Sequence, residues 1–239
     1  MAQTEPFDPF ASEAPVIVYV DIKSPYAFIA KDPTRELEQE LGVDFDWRPL
    51  TLDIPSYLGS ARLDSKGKVA TSNRSAQQWT GIRYAYKDAR RYAELQGYTL
   101  RGTEKIWDTS LVHIAMQWTK QFGHEATARF LDCAYEPFWR RALDVEDQQR
   151  VEATLVAAAV PIAGFADYAA GAGRKFHDTS QQQIFAAGIF GVPAYVLGGD
   201  WFFGREHLPA VAWHVNGRQG PAPDIAYDRM TGRGPLAHV

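Results

Sequence analysis

The sequence predicts an α/β protein, and three observations carry that prediction. A run rich in β-branched side chains, Val16, Ile17, Val18, Tyr19 and Val20, is followed by a helix-start signal and then by an alternating stretch at residues 43–49. Two short strand-like runs separated by Gly198 and Gly199 occur late in the chain. Between these ends, residues 51–174 carry mostly helical periodicity.

Each element follows from local chemistry. Residues 16–20 read as a buried strand. Ser24 is a good N-cap, and Pro25 suits the first helical position, where no backbone N–H is needed. The helix continues through Leu37 and Leu41 to a C-cap at Gly42. Residues 43–49 return as a strand that Pro49 ends, and a βαβ unit over residues 16–49 requires a parallel pair. Residues 51–67 are irregular, with Pro55, Gly59 and Gly67. Helices are predicted over Ala76–Leu95, residues 109–122 with Asp108 as N-cap, 125–139, 146–160, Phe165–Ala170 and 177–188. Residues 192–197 form a strand opened by proline, Asp200–Phe203 its partner, and a closing helix runs from near Glu206 to Val215.

Composition narrows the function classes. The 239 residues are 46 % hydrophobic, enough for a sizeable core. A net charge of −4 argues against a nucleic-acid partner. No apolar run suits a membrane span, and residues 1–14 lack the basic start and apolar segment of a signal peptide. The expectation is a flexible N-terminal extension over 1–14, a cytoplasmic protein and no membrane partner. The single Cys133 excludes an intramolecular disulfide and reads as a small buried hydrophobe. The six histidines show no close metal-ligand spacing, so no metal is assigned.

Two motifs go further. Asp21, two variable positions, then Ser24, Pro25 and Tyr26 form the first; Phe190, Gly191, Val192 and Pro193, a hairpin, then Phe203 and Gly204 form the second. Together they resemble the thioredoxin-fold superfamily in its DsbA-like branch. They are most similar to 2-hydroxychromene-2-carboxylate isomerases and kappa-class glutathione transferases. The resemblance implies a thioredoxin-like (DsbA-type) α/β fold with a large helical insertion. Residues 15–50 and 175–215 would form the thioredoxin-like part, 51–174 the insertion and 216–239 a C-terminal tail.

The same resemblance implies a glutathione site. Dithiol exchange needs two cysteines at the helix start, and that place holds Ser24, Pro25, Tyr26 and Ala27. Ser24, the catalytic candidate, would instead stabilise the glutathione thiolate with its hydroxyl, beside the positive end of the helix dipole. Pro25, Val192, Pro193, Arg205 and Glu206 are the cofactor-binding candidates. Pro193 has the position of the family's cis-proline, which would turn the Val192 backbone toward an extended peptide. Arg205 and Glu206 correspond to the segment that holds the γ-glutamyl ammonium and carboxylate, although Glu206 replaces aspartate and His207 replaces arginine. Asn73 and Arg74 resemble an isomerase segment that would bind a substrate carboxylate, and Tyr26 would contribute to the substrate slot. Lys23 beside Ser24 either raises the local positive potential or faces solvent.

The implied activity is a glutathione-dependent isomerase acting on a small aromatic carboxylate. A kappa-like glutathione transferase and a redox-inactive, peptide-binding DsbA-like protein are the alternatives. Relatives are often dimers, so a homodimer is compatible with the resemblance.

Overall fold

The computed structural model describes residues 7–224. Strands β1 (Ile17–Val20), β2 (Asp46–Pro49), β5 (Ala194–Leu197) and β6 (Asp200–Phe203) form one sheet in the order β2-β1-β5-β6. The β1/β2 pair is parallel, as the βαβ reading requires, and the other pairs are antiparallel. All four residues of the central β1 are buried, whereas the edge strand β6 is partly exposed. The Gly198 and Gly199 turn, both residues at positive φ, links β5 to β6.

Helix α1 (Pro25–Leu41) crosses between the two parallel strands. Gly42 ends it in the left-handed region (φ 65°), and its N–H and that of Val43 return to the last-turn carbonyls. Pro33 sits inside this helix and cannot donate to Ile29 O; Gln96 Nε2 takes that carbonyl at 3.0 Å instead. A proline that would leave a helix carbonyl unpaired thus becomes a link to α3 (Ala76–Leu95).

Alternation along the strands separates the two faces. Val18, Trp47 and Tyr195 are paired across the sheet and share the α1 face. On that face Trp47 Nε1 donates to Glu38 at 3.0 Å, and Thr34 meets the Tyr195 hydroxyl at 2.8 Å. Asp46, opposite Ile17, faces the other side and pairs there with Lys120, just past α4 (Ser110–Thr119).

The insertion packs through α4, α5 (His124–Trp139), α6 (Gln148–Ala157), α7 (Phe165–Ala170) and α8 (Ala172–Ala186). Its seam with α1 is aromatic. Phe28, fully buried, stacks on Tyr135 (5.6 Å between centroids) and Trp139 (6.0 Å) and touches Tyr98 at 5.0 Å. α9 (Leu208–Val215) packs against α1 and β5.

Several local expectations change. Residues 51–67 are not irregular throughout: they hold α2 (Ile54–Leu58) and β3 (Ala61–Leu63), which pairs with β4 (Val69–Ser72) as a separate hairpin. Both strands are short and β4 is fully exposed, so no buried face imprints a period of two. α8 starts at Ala172, five positions before the sequence suggests, despite Gly173. That glycine packs under Tyr168, where an added Cβ would lie 2.4 Å from Cε1. The α4 N-cap is Thr109 rather than Asp108, although the Asp108 carboxylate accepts the Ser110 N–H at 2.9 Å. The closing helix begins at Leu208 after a short 3-10 turn over Arg205–His207.

The described part of the N-terminal segment is fastened to the sheet rather than free. The Tyr19 hydroxyl donates to Pro9 O (2.8 Å), and Arg48 donates to Asp8 O (3.0 Å) and Ala11 O (2.6 Å). Residues 1–6 of that segment, and 225–239 of the tail, lie outside the described residues. Cys133 is half-buried, and burial pushes its thiol up. No helix among the described residues is long and apolar enough to cross a membrane.

Candidate active site

The turn from β1 into α1 and the loop before β5 meet at one place because β1 and β5 are neighbours in the sheet. Ser24 caps α1 as expected: its Oγ accepts the Ala27 N–H at 3.2 Å, and Pro25 takes the first helical position. The Ser24 hydroxyl also lies 3.5 Å from Val192 O, a long hydrogen bond to the opposite loop. The Val192 peptide bond to Pro193 is cis. The Val192 N–H has no hydrogen-bond acceptor among the described residues.

Beside this junction opens a cavity of about 830 Å³. It brings together Tyr26, Val192, Pro193, Arg205 and Glu206, five of the residues singled out from sequence. Ser24, only 6 % exposed, and Pro25 are not on its wall; the Ser24 hydroxyl meets the wall residue Val192 at its carbonyl. Phe203, Leu208 and Pro209 supply apolar surface.

Among the described residues, the wall carries Glu36, Glu40, Asp88 and Glu206 beside the single cation Arg205, and two of these groups have partners there. Arg205 lies 3.8 Å from the centroid of the Tyr92 ring, a cation–π contact. The Tyr26 hydroxyl donates to Asp88 at 3.5 Å; burial, and then the Asp88 charge, push its phenol up. Gly204 at φ 107° starts the 3-10 turn carrying Arg205 and Glu206, and an added Cβ would stand 2.3 Å from the Glu206 carboxylate. Gly204→Ala is therefore expected to cost about 1–3 kcal/mol, because a side chain is strained there and the carboxylate must move. Urea denaturation of the variant measures this; an unchanged midpoint contradicts it.

Asn73 and Arg74 do not join this cavity. Asn73 Oδ1 accepts the Ser60 N–H at 2.6 Å. Arg74 Nε donates to Gly59 O at 3.3 Å while its guanidinium covers Trp79 at 5.0 Å. Both fasten the β3/β4 hairpin next to α2.

Of the two readings of Lys23, the structure removes one, since it does not face solvent. It is 9 % exposed, 3.4 Å from the Asp21 carboxylate and hydrogen-bonded to Thr109 Oγ1 at 3.2 Å. Asp21, fully buried, accepts from Thr109 Oγ1 (2.8 Å) and from the amides of Lys23 (3.0 Å) and Leu52 (2.8 Å). Burial alone would raise its pKa, but Lys23, His113 and the Leu52 amide outweigh that cost. They hold the carboxyl well below the usual range. This buried cluster anchors the turn that presents Ser24.

Sequence reasoning missed Thr109, His113 and Asp88. Asp88 and Tyr92 lie four apart on α3, the spacing of one helix face, which is a readable signal. Thr109 and His113 stand on α4, a different element from the Asp21 turn, so no local spacing could assign them to it.

Comparisons with known proteins bear on the fold. A family model, DSBA-like thioredoxin domain, matches residues 15–216. No curated protein matches the chain in sequence. The solved selenomethionine structure of a 2-hydroxychromene-2-carboxylate isomerase superimposes with a TM-score of 0.62 at 16 % identity, covering 92 % of this chain and 98 % of that one. A protein described as a DsbA oxidoreductase, from Streptomyces coelicolor, gives 0.65 at 18 % identity over 87 % of this chain and 92 % of its own. One described as a protein disulfide isomerase, from Nitrosomonas europaea, gives 0.62 at 14 % identity over 87 % and 100 %. At these identities the likeness is one of fold. Spanning the β1–α1 turn, the helical insertion and the proline hairpin alike, the match over residues 15–216 places the chain in the DsbA-like thioredoxin family.

Proposed function

We propose that the cavity is a glutathione site and that the protein is a glutathione-dependent isomerase of small aromatic carboxylates. The observation that carries the reading is Val192, a residue of the cavity wall beside Arg205 and Glu206 whose amide has no acceptor among the described residues. A peptide running past Val192 would take that amide as an added strand does. The volume falls within the range of small-molecule sites.

Glutathione, when bound, supplies the nucleophilic sulfur that the chain lacks at residues 24–27. Val192 holds the peptide backbone, Glu206 a cationic end and Arg205 a carboxylate. The Ser24 hydroxyl and the positive end of α1 lower the pKa of a thiol placed at the helix start. Tyr26, Phe203 and Leu208 exclude water from an aromatic ring beside it. Asn73 and Arg74 take no part, so a substrate carboxylate falls to Arg205 or to a group outside this wall.

Calorimetry with glutathione near neutral pH tests the reading. Wild type is expected to bind in the micromolar-to-millimolar range with proton release, and Ser24→Ala to release fewer protons. The same variant should lose about 1 kcal/mol of stability through its lost cap. No binding to wild type overturns the proposal. Turnover of hydroxylated aromatic carboxylates only with added glutathione separates the enzyme from a peptide-binding protein; glutathione recovered unchanged marks the isomerase, and a glutathione conjugate as product marks the transferase.

A second reading has its own observation. Phe190 is 60 % exposed and packs at 5.3 Å from both Trp201 and Phe203, next to the edge strand β6. An apolar patch beside a free strand edge suits a peptide-binding protein without redox chemistry. Binding of extended peptides with no glutathione dependence would favour it.

A further inference from the structure

A chain of hydrogen bonds runs from the buried floor of the site to the surface on the far side of Thr51. His113 Nδ1 lies 2.6 Å from Thr51 Oγ1, Thr51 Oγ1 lies 2.9 Å from His177 Nε2, and His177 Nδ1 lies 2.9 Å from the Asp178 carboxylate. His113 is fully buried and His177 is 4 % exposed, whereas the Asp178 side chain is 54 % exposed. At the inner end, His113 Nε2 lies 3.2 Å from the Ile22 N–H and 3.3 Å from Asp21 Oδ1.

That inner nitrogen faces two partners with opposite demands. The Ile22 N–H can only donate, so it needs a lone pair on Nε2. The Asp21 carboxylate can only accept, so it needs a proton there. We propose that His113, Thr51 and His177 form one proton-coupled unit in which protonation near the surface decides whether Nε2 holds the Ile22 amide or pairs with Asp21. His113 and His177 are thereby positioning residues for the turn over residues 22–24 that presents Ser24.

The bonds orient the unit. With Asp178 ionised, His177 donates through Nδ1 and accepts from the Thr51 hydroxyl at Nε2. Thr51 then accepts from His113 Nδ1–H, and Nε2 of His113 is free to accept from Ile22. One proton taken up at His113 Nε2 reverses the chain: His113 passes its Nδ1 proton to Thr51 Oγ1, and Thr51 passes its own proton to His177 Nε2. Thr51 now accepts from His177 and donates to His113 Nδ1, and His113 carries its single proton on Nε2, toward Asp21. The unit has gained one proton and the positive charge rests on His177 beside Asp178. The Ile22 amide then loses its acceptor.

The charged and titratable surroundings come from every element packed around the unit. Asp21 and Lys23 lie in the turn before α1, and Tyr57 on α2 is pushed up to about 12 by burial and then Asp21. Asp108 precedes α4, and its carboxyl is held low despite burial by the Ser110 amide, then by Lys23 and Arg174. The Tyr135 hydroxyl of α5 donates to Asp21 O at 3.2 Å. On α8, Arg174 stands 3.7 Å from Asp178. Burial lowers the pKa of His177 and Asp178 raises it, with the net effect downward, so the uncharged form prevails at neutral pH. Gln181 closes the remaining edge: its Oε1 accepts the Thr51 N–H at 2.7 Å and its Nε2 donates to Pro49 O at 3.2 Å.

The inference concerns the Ser24 turn and holds whether or not glutathione is the occupant, so its test uses the free, full-length chain and no ligand. Nitrogen-15 NMR of the histidine rings and backbone amides is followed through an acid titration. At mildly alkaline pH both rings are expected as Nδ1–H tautomers. As His177 takes up its proton, the Ile22 amide and His113 Nε2 should shift with the same midpoint. In Thr51→Val, His177 should still titrate while the Ile22 response disappears; Thr51→Ser should restore it. An Ile22 amide that ignores the His177 midpoint in wild type, or follows it equally in folded Thr51→Val, overturns the proposal. So does a Nε2–H tautomer of His177 at the alkaline end.

Discussion

Asp21→Ala is expected to lose about 3–5 kcal/mol of folding stability, because it strands a buried cation. Lys23 would keep its burial and lose its counter-charge, while the amides of Lys23 and Leu52 and the Thr109 hydroxyl would lose their acceptor. The damage lies in breaking a pair rather than in lacking one. A double change, Asp21→Ala with Lys23→Met, should therefore recover part of the loss. The pH dependence has a definite sign. The folded-state pKa of Asp21 is depressed, so its contribution is fully present above the unfolded value of about 3.9 and fades as pH falls below it. Urea denaturation of wild type and both variants at neutral and acid pH measures all three points. A double variant less stable than Asp21→Ala, or a wild-type advantage that grows on acidification below pH ~4, would sink the account.

Phe28→Ala should be comparably costly, about 3–5 kcal/mol, for an unrelated reason. The ring is fully buried and lies between α1 and three aromatic rings of the insertion, Tyr98, Tyr135 and Trp139. Its removal leaves a cavity that stiff rings cannot collapse to fill. Chemical denaturation should show a lower midpoint with an unchanged slope. A loss below about 1 kcal/mol would mean that the seam repacks freely. Phe28→Leu, which keeps most of the volume, should lose far less.

Legibility from sequence followed the range of the interactions. The Ser24 cap, the Pro25 start, the Gly42 stop and the glycine hairpin are contacts between near neighbours, and each was readable. Tyr26, Val192, Pro193, Arg205 and Glu206 were assigned by motif, and the sheet brings the two motifs to one cavity. Asn73 and Arg74 were assigned by a three-residue likeness alone, and they fold into a hairpin elsewhere. The sequence leaves Lys23 open between a surface position and a charge beside Ser24, because only Asp21 and Thr109 together make its burial tolerable.

By itself, then, the sequence determined the α/β class, the two ends of the sheet and the absence of a thiol at the start of α1. Strand patterning, caps and missing cysteines are local properties. The tertiary structure alone decided which polar groups surround the site. Thr51 after β2, Thr109 and His113 at the start of α4, and His177 on α8 come from three separate parts of the chain, and they reach the Asp21 turn because α4 and α8 pack together. A buried charge needs partners from wherever the packing can supply them, and sequence distance places no limit on that supply.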